Sequence, residues 1–399
     1  MSNTIDILGD EVAAKEIVER IISYFEDDVC TSIGHYAFAD CTSLTSVSFP
    51  ACTSIGPGAF SGCTSLASVS FPVCTDIANN AFMYCSSLIS VSFPACTSIG
   101  NAAFQYCYSL TSVSFPVCMS IGTSAFQNCS SLTSASFSAC TSIFTAAFQS
   151  CRGLISVSFP ACTSIWNMAF QSCYSLTSVS FPVCMSIGNT AFMYCSSLTS
   201  VSFPACTSIG PDAFNNCYNL ISVSFPVCTS IGSSAFLGCT SLTSVSFPAC
   251  MSIGSFAFQS CTNLTSVSFP VCTSIGSLAF RSCSRLISVS FPACTSIGEG
   301  AFYACVGLTT VSFPVCTSIG NTAFQRCFNL VSLYLTGSVR VNLLNSSAFS
   351  MTPIAGYTTS TSGQLGSIYV PASLLTEYQT ATNWAYFSER FVGVNLEET

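Results

Sequence analysis

Apolar and polar residues alternate briefly, break, and then repeat the same order every twenty-two residues along most of this chain. In the stretch SLTSVSFPACTSIGPGAFSGCT, Ser43 to Thr64, Val47 and Phe49 fall on one side of an extended backbone and Ser46 and Ser48 on the other. That period of two predicts a half-buried strand. Pro50 ends it, since proline cannot donate to a ladder from mid-strand. Ile55, Ala59 and Phe60 follow among turn residues such as Ser54, Gly56 and Pro57, and the Ala-Phe pair predicts a short helical or irregular turn on the back of the coil. Leucine holds one register fourteen times, from Leu44 to Leu330, and Ala-Phe recurs without exception from Ala37-Phe38 to Ala323-Phe324. A unit this short cannot bury its own apolar face, so neighbours must stack into a solenoid.

The stacking predicts what lies inside: one leucine ladder, phenylalanine ladders at the Phe49 and Phe60 positions, and an isoleucine ladder at Ile55. Fourteen coils about 4.8 Å apart would make a rod roughly 65 Å long. Ser46 and Ser48 face outward; a register off by one would invert every face.

Leu44, Val47, Phe49, Cys52 and Ile55 spell L-x-x-V-x-F-x-x-C-x-x-I, and T-S-I-G-x-x-A-F-x-x-C-x-x-L completes the unit. The pattern resembles the BspA-like leucine-rich repeats from Cys30 to roughly Leu335. The resemblance implies a leucine-rich repeat solenoid, a right-handed curved rod with one parallel β-sheet. It also implies surface exposure and adhesive or other protein-binding work. Residues 1–29 are expected to form an acidic cap with a helix over about 10–20, in which Ile22 takes the leucine register and Phe25 the Val47 position. Residues 30–335 form the array. Residues 336–399 form a second cap, in which Ala348-Phe349 echoes the unit and Pro371 opens a helix carrying Leu374, Leu375, Tyr378 and Trp384. The I-Y-V-P-A-S-L-L segment resembles the terminal piece attached to such arrays in gut bacteria and phage-type sequences.

Composition narrows the function by exclusion. Charged residues are 6% of the chain, and only Arg152, Arg281, Arg285 and Arg326 of the basic residues lie in the array, so no basic stripe for nucleic acid exists. The net charge of −8 owes much to Asp10, Glu11, Glu16, Glu19, Glu26, Asp27 and Asp28. Mean hydropathy is +0.62, yet serine and threonine interrupt every apolar run long before the ~18 residues of a spanning helix. Neither a signal segment nor an anchor motif is visible, which leaves the location between a cell surface, a virion and the cytoplasm.

The 28 cysteines stand two to a unit, eleven residues apart from Cys30 to Cys327. No close C-x-x-C pair suggests zinc. Equivalent positions on stacked coils are too far apart and too parallel for disulfides, so the thiols are expected to be free and buried, with the Cys52 type donating to loop carbonyls. The sole histidine, His35, has no partner histidine. Asp40, Asp76, Asp212 and Glu299 fall in distant coils, and no phosphate-cradling loop occurs. No catalysis, metal or cofactor is expected. Ala78, Phe144 and Trp166 stand where other units have glycine, so that turn does not demand positive φ.

What remains is binding. The Ser46 and Ser48 ladders, edged by Thr45, Ala67, Ile89 and Thr111, offer few large side chains. The variable positions lie around the Ala-Phe turn, where Tyr84, Tyr106, Tyr108, Trp166, Tyr174, Tyr194 and Tyr218 are the candidate contacts for a protein partner. Phe144, Met168, Phe256 and Arg152 lie near them in the pattern. Variation there also fits neutral change after tandem copying of a two-coil unit, since Ala51, Val73, Ala95 and Val117 alternate. The first reading is a non-enzymatic protein-interaction solenoid, adhesin-like or virion-associated. The others are a structural rod associating end to end or side by side, and an ice- or carbohydrate-binding Ser/Thr sheet.

Overall fold

The computed structural model describes residues 4–5, 24–357 and 364–395. The helix expected over 10–20, and Ile22, lie outside the described residues. The chain forms two compact units, residues 1–198 and 199–399.

In the first unit the alternating segments form three-residue strands from Tyr24–Glu26 through Ser46–Ser48 and Ser68–Ser70 to Ser178–Ser180. Neighbours pair in parallel and in register, Ser46 with Ser68, Val47 with Val69, Ser48 with Ser70, and Phe25 opposite Val47. Leu44 and Phe49 are fully buried and Val47 nearly so, while Ser90 and Ser92 are exposed. A second ladder runs through every coil at the residues read as turn: Ser54–Ile55 pairs with Asp76–Ile77, and so on to Ser164–Ile165 with Ser186–Ile187. Two residues are too few to show alternation, but each isoleucine faces inward and each serine or aspartate outward.

The back of the coil resolves into a ladder of hydrogen-bonded turns. The amides of Gly58, Phe60 and Gly62 donate to the Asn79, Ala81 and Met83 carbonyls of the next coil at 2.9, 2.7 and 2.8 Å. Those of Ala59, Ser61 and Cys63 donate within the turn to Gly56, Gly58 and Phe60. Every one of these amides is satisfied, which is what lets the loop stack without a helix. The geometry places two left-handed residues four apart in each coil: Gly58 and Gly62 at φ 62° and 76°, then Asn80 and Tyr84 at 59° and 63°.

Inside, the Phe60-type rings stack face to face, Phe38 on Phe60 at 5.1 Å and Phe60 on Phe82 at 5.2 Å. The Phe49-type rings form a parallel column, Phe49 to Phe71 at 5.5 Å, and the columns meet edge on, Phe60 to Phe71 at 5.9 Å. Outside the rings a side-chain ladder links Gln105, Gln127, Gln149 and Gln171 amide to amide, ending on Met193 Sδ at 3.7 Å.

The second unit repeats this plan from Ser200–Ser202 and Ser208–Ile209 to Ser332–Tyr334 and Asn342–Leu343. Beyond Leu335 the chain leaves the twenty-two-residue spacing, but Phe349 still stacks on Phe324 at 5.5 Å. Strand Ser367–Pro371 then pairs with Ser332–Tyr334, and a further strand that the sequence did not announce, Phe391–Val394, pairs with it. Between them a short helix, Leu375–Thr380, brings Tyr378 into the core while Leu374 and Leu375 stay half-buried. Trp384 Nε1 donates to Val341 O at 2.8 Å and Tyr378 Oη accepts from Val341 N at 2.9 Å. These two buried rings thereby satisfy backbone that has no further coil to bond.

Candidate interaction surface

Tyr84, Tyr106 and Tyr194 occupy the second left-handed position of their turns, at φ 63°, 64° and 63°. Other coils place Gly62, Asn128 or Gly238 there, residues that tolerate this backbone, and others Ser150, Ser172, Ala304 or Arg326. A tyrosine in it carries a penalty of about 1–2 kcal/mol. Its side chain is also projected outward from a backbone pinned on both sides by the turn ladder.

Tyr84 and Tyr106 stack at 4.7 Å with their planes 2° apart, and Tyr106 meets Tyr108 at 6.0 Å and 53°. Tyr84 and Tyr108 are 45% and 47% exposed, with Tyr106 half-buried between them. The three make a continuous aromatic ridge across two coils. Tyr174, 41% exposed, carries the Arg152 guanidinium over its ring at 5.8 Å, a cation–π pair that holds a charge beside the turn face. Tyr194 lies exposed in the following coil, and Tyr218 holds the Tyr108-type position in the second unit, also exposed. Trp166 belongs elsewhere. It stands at the glycine position that follows the Ser-Ile strand, and its ring meets Phe144 at 4.9 Å.

The serine face carries more apolar surface than its sequence suggests. Ile89 and Ile155 on its edge are 54% and 50% exposed, and Met119 and Met185, at the corner between the two ladders, 54% and 53%. The threonines at that corner are occupied: Thr53, Thr75 and Thr97 each donate Oγ1 to the residue one coil back, Thr31, Thr53 and Thr75, at 3.0, 3.1 and 3.2 Å.

All 28 cysteines are buried thiols outside any disulfide. One column donates Sγ–H to a carbonyl two residues on, Cys52 to Ser54 O at 3.2 Å; the other donates across coils, Cys85 to Phe60 O at 3.1 Å. Burial pushes Cys52 up to about 11 and Cys74 up to about 12, against a partial opposing effect of backbone hydrogen bonding at Ser54 and Asp76. Such thiols are protonated and inert. The Asp76 carboxylate accepts from Ser98 Oγ at 2.9 Å, and Asp212 accepts from Asn215 Nδ2 at 2.7 Å. Among the described residues no group of three His, Cys, Asp or Glu side chains comes together to hold a metal, and no helix is long and apolar enough to cross a membrane.

The family described as "BspA type Leucine rich repeat region (6 copies)" matches residues 31–155, 75–195, 163–271, 185–295 and 251–369. Among solved structures, a leucine-rich repeat protein from Bacteroides ovatus ATCC 8483 is similar, with 25% identity over 81% of this chain and 92% of that one, at a TM-score of 0.66. A leucine rich cell surface protein from Faecalibacterium prausnitzii A2-165 is 23% identical over 80% of this chain and 88% of its own, at a TM-score of 0.41. A leucine-rich repeat protein from Eubacterium ventriosum ATCC 27560 is 22% identical over 80% and 84%, at 0.40. No curated protein matches the sequence.

Proposed function

The chain belongs to the family of BspA type leucine rich repeat regions, and from that premise we propose that it is a non-enzymatic protein-binding solenoid, adhesin-like, at a cell or virion surface. Its partner docks on the turn face around Tyr84, Tyr106 and Tyr108. The observation that carries this reading is the ridge itself. Two of its tyrosines, 84 and 106, sit in left-handed turn positions where glycine or asparagine would be more stable. Stacked tyrosines also offer large, rigid area at low entropy cost, the property that makes hot spots.

The threonine hydroxyls beside the serine face are spent on carbonyls of the preceding coil, which argues against an ice- or sugar-binding sheet. Self-association into a rod is the second reading, supported by exposed Ile89 and Ile155 on one sheet edge.

The test replaces Tyr106, Tyr108 and Tyr174 by serine, a residue that other coils already carry at these positions. Partner binding should weaken by more than about 1 kcal/mol per hot-spot residue, with the melting curve unchanged. Replacing Ser48, Ser70 and Ser92 by alanine should do much less. Loss of binding in the serine-to-alanine variant alone would move the site to the sheet.

A further inference from the structure

Where each Ser-Ile strand turns into the back of the coil, the first unit carries glycine at 34, 56, 100, 122 and 188, alanine at 78, and two aromatics in succession, Phe144 and Trp166. The glycines answer to close approach rather than to φ. A Cβ on Gly100 would lie 2.5 Å from the carbonyl carbon of Ala78, and one on Gly188 2.6 Å from that of Trp166. A larger side chain therefore has to displace the stacked backbone by some tenths of an ångström, at a cost in packing. Two adjacent coils accept that displacement and place the largest rings of the whole column side by side.

The Trp166 ring lines a shallow, open cleft. Phe144 backs Trp166 at 4.9 Å and 52°, while Trp166 remains 47% exposed. On the side away from Phe144 this cleft of about 210 Å³ is lined by Trp166, by Ser164, Asn167, Ser186 and Gly188, and by Ile165 and Ile187 of the two strands. Gly188 has no side chain to cover the indole from the next coil. Asn167 Oδ1 accepts the Asn189 amide proton at 2.9 Å, which orients the side chain and leaves its NH2 group as a donor. No charged residue lines the cleft.

We propose that this cleft binds one ring of a neutral oligosaccharide, with Trp166 as the stacking platform and Asn167 as the polar anchor. The C–H face of a pyranose carries small positive charge and packs on the negative face of an indole. Its hydroxyls need donors and acceptors at the rim, which Ser164, Asn167 and Ser186 supply. An apolar peptide segment would use the ring but leave those polar groups without partners, and an anion would find no cation. The site lies apart from the tyrosine ridge and rests on no part of the protein-binding proposal.

Indole emission reads this site directly, because the second tryptophan, Trp384, is fully buried. Full-length protein is titrated with chitotriose, maltotriose, cellotriose and, separately, a proline-rich peptide. The expected result is a saturable change in emission with at least one trisaccharide. Trp166→Gly, which restores the residue of most other coils, should abolish both this change and the binding of that trisaccharide measured by calorimetry. Asn167→Ala should weaken it about fivefold, the worth of one hydrogen bond. No saturable change with any trisaccharide, a change that Trp166→Gly retains, or a response to the peptide alone overturns the proposal.

Discussion

Phe104→Ala measures how much of the solenoid's stability resides in its ring columns. Phe104 is fully buried and stacks on Phe82 and Phe126 at 5.2 and 5.3 Å, with planes 5° and 2° apart. It meets Phe115 edge on at 5.9 Å and Phe93 at 6.2 Å. Truncating a core phenylalanine costs about 3–5 kcal/mol, the larger values arising where the cavity cannot collapse. Here the coils on either side are pinned, by Phe104 N to Ala125 O at 2.8 Å and Phe82 N to Ala103 O at 2.7 Å. Two parallel stacks, worth about 0.5–1.5 kcal/mol each beyond area, are lost together. The loss should therefore sit near 5 kcal/mol. Native-state hydrogen exchange is the suitable assay, because repeat arrays couple mainly to neighbours and open locally. Protection should fall most over residues 82–126, with Ser92→Ala within about 0.5 kcal/mol of wild type as the control. A loss below about 2 kcal/mol, or one spread evenly along the unit, would mean that pinned coils do not hold the cavity open.

The thiols set a pH limit. Unfolded cysteines lose their protons near 9.0, whereas burial holds Cys52 protonated to about 11 and Cys74 to about 12. Stability should be level below that first value and fall as pH rises through 9 toward the folded values; a melting temperature unchanged well above pH 9 would contradict this. Native protein should react with few equivalents of a thiol reagent, while unfolding without reductant should expose all 28; most remaining unreactive would mean disulfides. Gln127→Ala breaks both of its ladder links, to Gln105 and Gln149, and should lower exchange protection in its coil by about 1–2 kcal/mol, with no change showing that the amide ladder is incidental.

The buried register was legible because leucine, valine and the two phenylalanine columns repeat at a fixed interval, and stacking turns an interval into a column. The Ser54–Ile55 ladder was not, since a two-residue strand has no alternation to read. The left-handed turn pairs were hidden for a different reason. Glycine marks them at Gly58 and Gly62, but Asn80 and Tyr84 follow in the next coil, so the backbone demand is masked by the side chains that meet it. Spacing also placed Trp166 and the tyrosines in one variable set, whereas the turn between them puts Trp166 on the Ser-Ile edge with Phe144. Strand Phe391–Val394 pairs with a neighbour outside the repeat, where no interval points to it.

In the proposed binding mode a partner covers the turn face. Hydroxyl-radical footprinting of the protein with and without the proposed protein partner compares the two faces in one experiment, since Tyr84, Tyr108 and Tyr174 report the turn face and Met119 and Met185 the sheet corner, all more than 40% exposed in the free chain. In this binding mode the partner protects the three tyrosines and leaves both methionines at their free rates. Protection of Met119 and Met185 with the tyrosines unchanged would contradict it.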